Sequence, residues 1–235
     1  MDLTKAIDSD SEDDFFAAVP AAEMLTGYFR DLVAERRKNP KGDIISSLIA
    51  VQERDKGIGE EELLATCVLL LWTGHETTKN LIGNALLVLL RNPGQMDILS
   101  RDPRMINKAV EEFLRFESPV QKICRWASTE ISIGGKIIPK DRFVVGLIGA
   151  AHRDPDRFED PDMFDISRDV GSHLAFGRGA HHCLGNALAR IEARVAINSL
   201  LRRTRRLVLA AETVEWQEPT LVRGVKSLPV TFQPV

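Results

Sequence analysis

The segment Phe176-Gly177-Arg178-Gly179-Ala180-His181-His182-Cys183-Leu184-Gly185 decides the reading of this chain. Three glycines and one aromatic ring surround a single thiol, and a long helical pattern begins directly after it. Gly177 and Gly179 let the backbone take tight or left-handed conformations and let a flat ligand come close. The spacing sets Cys183 at a helix N-terminus, where unpaired N–H groups and the helix dipole favour a thiolate. One anionic sulfur in a glycine-lined loop is what axial ligation of haem iron requires.

Two other readings compete for the same residues. One is a buried cysteine in a glycine-rich turn, which needs no chemistry. The other is a zinc site, since His181, His182 and Cys183 are consecutive. Adjacent side chains rarely converge on one tetrahedral ion, and the chain offers no C-x-x-C or H-x-x-x-H partner for them.

Composition narrows the class. The 235 residues suffice for one large domain or two small ones, and 44% hydrophobic with 28% charged residues is ordinary globular content. A net charge of -3 gives no reason to expect nucleic acid or an anionic membrane as partner. Cys67, Cys124 and Cys183 are far apart and odd in number, which suggests a reducing compartment. The apolar run over residues 63–72 is too short to cross a bilayer, and no secretory leader pattern is visible, so a cytoplasmic location is expected.

Periodicity predicts a mainly helical chain with small β-sheets. Residues 1–20 form an acidic N-terminal segment expected to fray, and residues 21–235 are expected to form the core. A helix is read over residues 21–37, and Asp43 is placed to cap a short helix after it. A longer helix spans residues 60–91, apolar on nearly every face in its first half and therefore expected to be buried. Shorter helices follow near residues 96–100 and 106–116. Gly134-Gly135 between Ile131, Ile133, Ile137 and Ile138 reads as a hairpin, and residues 143–147 as a strand. A long polar loop covers residues 152–168, a helix covers 184–205, and short strands close the chain.

The spacing Phe-Gly-x-Gly-x-His-x-Cys-x-Gly resembles the haem-binding loop of the cytochrome P-450 family, the haem-thiolate monooxygenases. The resemblance makes Cys183 the axial ligand of haem b, with Phe176, Gly177, Gly179 and Gly185 shaping the loop. Further motifs in the same order extend it from about residue 21 to the end. Thr73-Gly74-His75-Glu76-Thr77-Thr78 resembles the family's oxygen-activating segment, in which Glu76 and Thr77 would deliver protons. Thr73 stands where the family usually has alanine or glycine, and a glycine among threonines suggests a local opening of the helix. A solvated kink is the alternative reading of that segment.

Glu112 and Arg115, with Arg168 from the segment 161–168, resemble the family's structural network. An exposed helix salt bridge is the plain alternative for the first two. The resemblance points Arg125 and His181 at the haem propionates; Arg125 alone also reads as a surface strand residue. Arg178, Arg190, Arg194, Arg202 and Arg203 would steer an acidic ferredoxin-type electron donor, or would solvate the helix and pair with Glu192. The implied reaction inserts one oxygen atom of dioxygen into a small organic substrate. Two alternatives stand beside it: a truncated, non-catalytic remnant, and a peroxide-using or isomerising haem-thiolate enzyme. Relatives of this kind are longer, so the chain reads as N-terminally truncated.

Overall fold

The computed structural model describes residues 12–54, 57–217 and 221–235. The chain divides into two compact units, and the boundary between Glu76 and Thr77 falls inside a long helix. The first unit contains helices α1 (Glu12–Lys38) and α2 (Ile44–Arg54) and the first half of α3 (Glu60–Arg91). Phe29, Val33, Ile49, Leu63, Leu64 and Cys67 make its core. Asp43 caps α2 as expected, its Oδ1 accepting from the Ser46 amide at 2.9 Å. Hydrogen bonds from Arg36 and Ser46 bring the Asp43 carboxyl down to about 2.

Helix α1 begins at Glu12 rather than near residue 21 and runs through Pro20. Residues 12–20 of the expected frayed segment are therefore helical, and residues 1–11 lie outside the described residues. The helical spacing of Met24, Leu25, Tyr28, Phe29, Leu32 and Val33 marks the helix but not its start, and the helix extends N-terminally through Pro20. Helix α3 has the predicted range, but its first half is not buried all round. Leu63, Leu64 and Cys67 are buried on one face, whereas Leu69 is 54% and Leu71 47% exposed. Hydropathy counts apolar side chains and does not say which faces find partners.

In the second unit α3 continues and is followed by α4 (Pro93–Arg101), a 3-10 turn and α5 (Ile106–Phe116). Helix α5 buries Ile106, Ala109, Val110, Phe113 and Leu114 at helical spacing. They pack with Leu81, Ala85 and Leu89 of α3 and with Phe164, Ala193 and Ile197. Phe164 stacks on Phe113 with ring centroids 5.6 Å apart, drawing the long loop onto α5.

Among the described residues the unit also has three two-stranded antiparallel sheets. Strands β1 (Lys122–Trp126) and β4 (Phe143–Leu147) pair with Arg125 opposite Val144. The hairpin β2 (Ile131–Ile133) and β3 (Lys136–Ile138) turns through Gly134 and Gly135, at φ +58° and +75° as a tight primed turn requires. Strands β5 (Thr204–Leu209) and β6 (Val230–Pro234) form the third. Between β4 and the last helix lie one turn of helix, α6 (Ile148–Ala151), and then irregular chain to residue 178. Helix α7 (Asn186–Arg203) is shorter than predicted at both ends, because Gly185 caps it and Thr204 already has strand dihedrals. Cys124, on β1, is half-exposed. Among the described residues no helix is long and apolar enough to cross a membrane.

Candidate active site

The cysteine loop is closed by its own backbone. The Gly177 amide donates to the Leu174 carbonyl at 2.8 Å, and the Cys183 amide to the Phe176 carbonyl at 2.9 Å. Gly177 and Gly179 adopt φ +68° and +78°, conformations that cost a side-chain-bearing residue about 1–2 kcal/mol. A 3-10 turn (Gly179–His181) brings the chain round, and the His182 amide donates to Gly179 O at 3.0 Å. Asn186, the first residue of α7, donates from Nδ2 to the Cys183 carbonyl at 2.8 Å. Both backbone polar groups of Cys183 are thus held while its side chain stays half-exposed.

The loop fits a flat apolar prosthetic group with an electron-rich sulfur ligand. Apart from the flanking residues, no heavy atom of the described residues lies within 4 Å of where a side chain on Gly179 or Gly185 would begin, and Leu184 beside the thiol is 86% exposed. The free thiol of Cys183 is the soft donor such a group needs. His181 is exposed on the 3-10 turn. Arg125 is exposed on β1, where its Nη1 donates to the Cys124 carbonyl at 2.7 Å. No hydrogen bond among the described residues joins Arg125 to the cysteine loop.

Glu76 and Thr77 are consecutive on α3 and half-buried. The helix is unbroken through residues 73–78, so the expected local opening is absent. Thr73 is exposed, and its hydroxyl donates to the Leu69 carbonyl at 2.7 Å. Such back-bonding satisfies the hydroxyl at a slight cost to the helix, whose hydrogen-bond ladder nevertheless continues through the segment.

Glu112, Arg115 and Arg168 come together, and the first two are fully buried rather than an exposed pair. Arg115 Nε and Nη2 meet Glu112 Oε2 and Oε1 at 2.7 and 2.8 Å, and neither side chain reaches water. Arg168 Nε lies 3.4 Å from Glu112 Oε1. The same guanidinium groups fasten the irregular loop. Arg115 donates to the carbonyls of His152 and Pro161, both at 2.8 Å, and Arg168 donates to those of Glu159, Asp160 and Met163. A loop without secondary structure has unsatisfied carbonyls, and here arginines meet them.

A second cluster lies one residue earlier, and sequence reasoning missed it. Glu111 accepts from His173 Nε2 at 2.9 Å and from Arg190 Nε and Nη2 at 2.7 and 3.0 Å. Burial pushes the Glu111 carboxyl up, but the hydrogen bonds from His173 and Arg190 outweigh it and hold it at about 2. Arg190 therefore pairs with Glu111 and not with Glu192, which lies two positions on and faces another way along α7. Arg194 is likewise engaged, with Asn107 Oδ1 at 2.7 Å. The Glu111-Glu112 doublet and His173, three residues before Phe176, were the available signals. His152, also buried, accepts from the Leu174 amide at 2.9 Å, and its Nδ1 has no partner among the described residues. Burial, with His173, Arg115 and Arg153 nearby, lowers His152 to about 4.

A glycine-lined cysteine loop thus stands ahead of α7, and a Glu–Arg–Arg network separately fastens the irregular loop from residue 152 to residue 168. The family model for Cytochrome P450 matches residues 14–232. The biotin biosynthesis cytochrome P450 of Bacillus subtilis is 47% identical over 214 residues, covering 90% of this chain and 53% of that protein. The vitamin D(3) 25-hydroxylase of Pseudonocardia autotrophica is 44% identical, covering 97% and 57% respectively. The crystal structure of CalO2 superposes with a TM-score of 0.92 at 35% identity, over 98% of this chain and 58% of that one. P450BioI, solved in complex with hexadec-9Z-enoic acid ligated acyl carrier protein, gives 0.89 at 44% identity, over 97% and 58%. The chain belongs to the cytochrome P450 family. It spans a little over half the length of the curated relatives it matches.

Proposed function

We propose that this chain carries the proximal and oxygen-activating machinery of a monooxygenase that inserts one oxygen atom of dioxygen into a small organic substrate. The observation that carries the reading is the loop around Cys183: two glycines at positive φ, the cysteine amide tied to Phe176, and a half-exposed thiol ahead of α7. Haem b, when bound, supplies dioxygen binding and O–O cleavage favoured by a thiolate ligand. Cys183 offers that sulfur, and Phe176, Gly177, Gly179 and Gly185 shape the backbone beneath it. Arg125 and His181 are suited to the propionate carboxylates as charged or N–H donors. Glu76 and Thr77, an acid and an alcohol side by side on α3, would carry protons inward.

Electrons would arrive from a ferredoxin-type donor at the exposed Arg178, Arg202 and Arg203, within a reducing cytoplasm. Relatives named as hydroxylases support a small organic substrate. The test is the carbon monoxide difference spectrum of the reduced, haem-reconstituted chain. A thiolate-type Soret band is expected in wild type, Cys67→Ala and Cys124→Ala and lost in Cys183→Ala. Its retention in Cys183→Ala would overturn the assignment.

A further inference from the structure

Cys183 is held at its amide by the Phe176 carbonyl and at its carbonyl by Asn186 Nδ2. Both of these supports rest on one side chain. The Arg190 guanidinium lies 4.4 Å over the Phe176 ring, and its Nη1 donates to Asn186 Oδ1 at 2.9 Å. Arg190 is in turn fixed by a two-point hydrogen bond to Glu111, 79 positions away in sequence. The remaining approach to the loop is also governed by Glu111. His173 binds its Oε2 at 2.9 Å, accepts the Ala175 amide at Nδ1, and packs 5.9 Å from the Phe176 ring.

We infer that Glu111 is a positioning residue for Cys183, acting through Arg190 and His173 to set the backbone on either side of the sulfur. The inference rests on the reading of Cys183 as the iron ligand. Consecutive residues on α5 point about 100° apart, so the two glutamates divide the work. Glu112 fastens the loop from Glu159 to Arg168 through the buried arginines, and Glu111 fastens the cysteine loop and the start of α7. An ordinary surface ion pair contributes little, because two long side chains must be ordered in water. Here Glu111 and Arg190 are only 31% and 29% exposed, and their geometry is fixed at several points. Both Glu111 oxygens are engaged, Arg190 binds through two nitrogens, and the His173 side chain is only 3% exposed. Partners that orient a metal ligand from behind typically matter about 10–100-fold in metal affinity.

The experiment uses the full chain with Glu111→Gln, which preserves size, and Arg190→Lys, which preserves charge but not the two-point geometry. In the haem-free chain, amide exchange at Cys183 and Gly177 is measured, with mass-mapped iodoacetamide alkylation of Cys183. Both variants are expected to exchange and alkylate about tenfold faster at the loop, the equivalent of one lost charged hydrogen bond. Exchange in α2 and β5 should stay at the wild-type rate. Haem titration should then show affinity weakened by about 10–100-fold and a broadened thiolate-type band. Wild-type loop exchange and haem affinity in Glu111→Gln would overturn the inference, as would an increase spread evenly over the second unit. If Cys183→Ala kept the thiolate band, the ligand assignment itself would fall, whereas the haem-free exchange still decides whether Glu111 positions the loop.

Discussion

Glu112→Ala is the perturbation whose cost follows most directly from the geometry. Glu112 and Arg115 are both fully buried and joined by two hydrogen bonds, and Glu112 also accepts from the Asp165 amide at 3.1 Å and faces Arg168. The alanine variant strands two guanidinium donors where water does not reach and takes the acceptor from the partly buried Asp165 amide. Breaking one partner of a buried ion pair costs about 3–5 kcal/mol, a large share of the roughly 5–15 kcal/mol that holds a domain folded. Glu112→Gln keeps an acceptor but turns an amide NH2 toward the guanidinium, so about 1–3 kcal/mol is expected. Because the chain has two compact units, one global signal would mix their transitions. Urea unfolding is therefore followed by pulsed hydrogen exchange on peptides from α5 and α2 separately. The α5 peptides should lose stability by the amounts given while α2 does not. Glu61→Ala, which removes an exposed pair with Arg30 at 3.5 Å, is the control and should change stability by less than about 1 kcal/mol. A Glu112→Ala variant within about 1 kcal/mol of wild type would refute the reasoning, since no mechanism for a large loss would then remain.

The acid side of the stability profile should carry the signature of His152. Its folded value of about 4 lies below the ordinary 6.5, so the unfolded chain binds the extra proton. Stability is thus complete above pH 6.5 and falls by about 3 kcal/mol as pH drops through this window to 4, and His152→Gln should flatten that slope. Gly177→Ala forces a side chain into φ +68° and should cost about 1–2 kcal/mol, read as a lower melting temperature of the second unit and weaker haem retention. Reduction by an acidic ferredoxin should slow as salt rises and slow further when exposed Arg178, Arg202 and Arg203 are changed to Glu; insensitivity to both would remove the docking idea.

What could be read from the sequence was mostly local. The range of α3, the Gly134-Gly135 hairpin, the Asp43 cap and the tight turns of the cysteine loop depend on residues within a few positions of each other. Their physical rules act at that range. Glu112, Arg115 and Arg168 were legible for a different reason, the resemblance to a family whose motifs occur in the same order. Partners set by tertiary packing were not legible. Donor docking, helix solvation and pairing with Glu192 all stood open for Arg190, yet its carboxylate is Glu111 on another helix, and His173 reaches that same group across 62 positions. The exposure of Leu69 and Leu71 was missed because an apolar run gives no account of which faces are covered. The local opening expected around Gly74 is absent as well, because the helix continues unbroken through residues 73–78.

The claim at the centre is that one sulfur of this chain, that of Cys183, binds haem iron. X-ray absorption at the iron edge of the ferric, haem-reconstituted chain reads the ligand atoms without relying on turnover. One sulfur is expected in the iron's first coordination shell of wild type, and none in Cys183→Ala. A shell of nitrogen and oxygen alone in the wild-type chain, or an unchanged sulfur in Cys183→Ala, would contradict it.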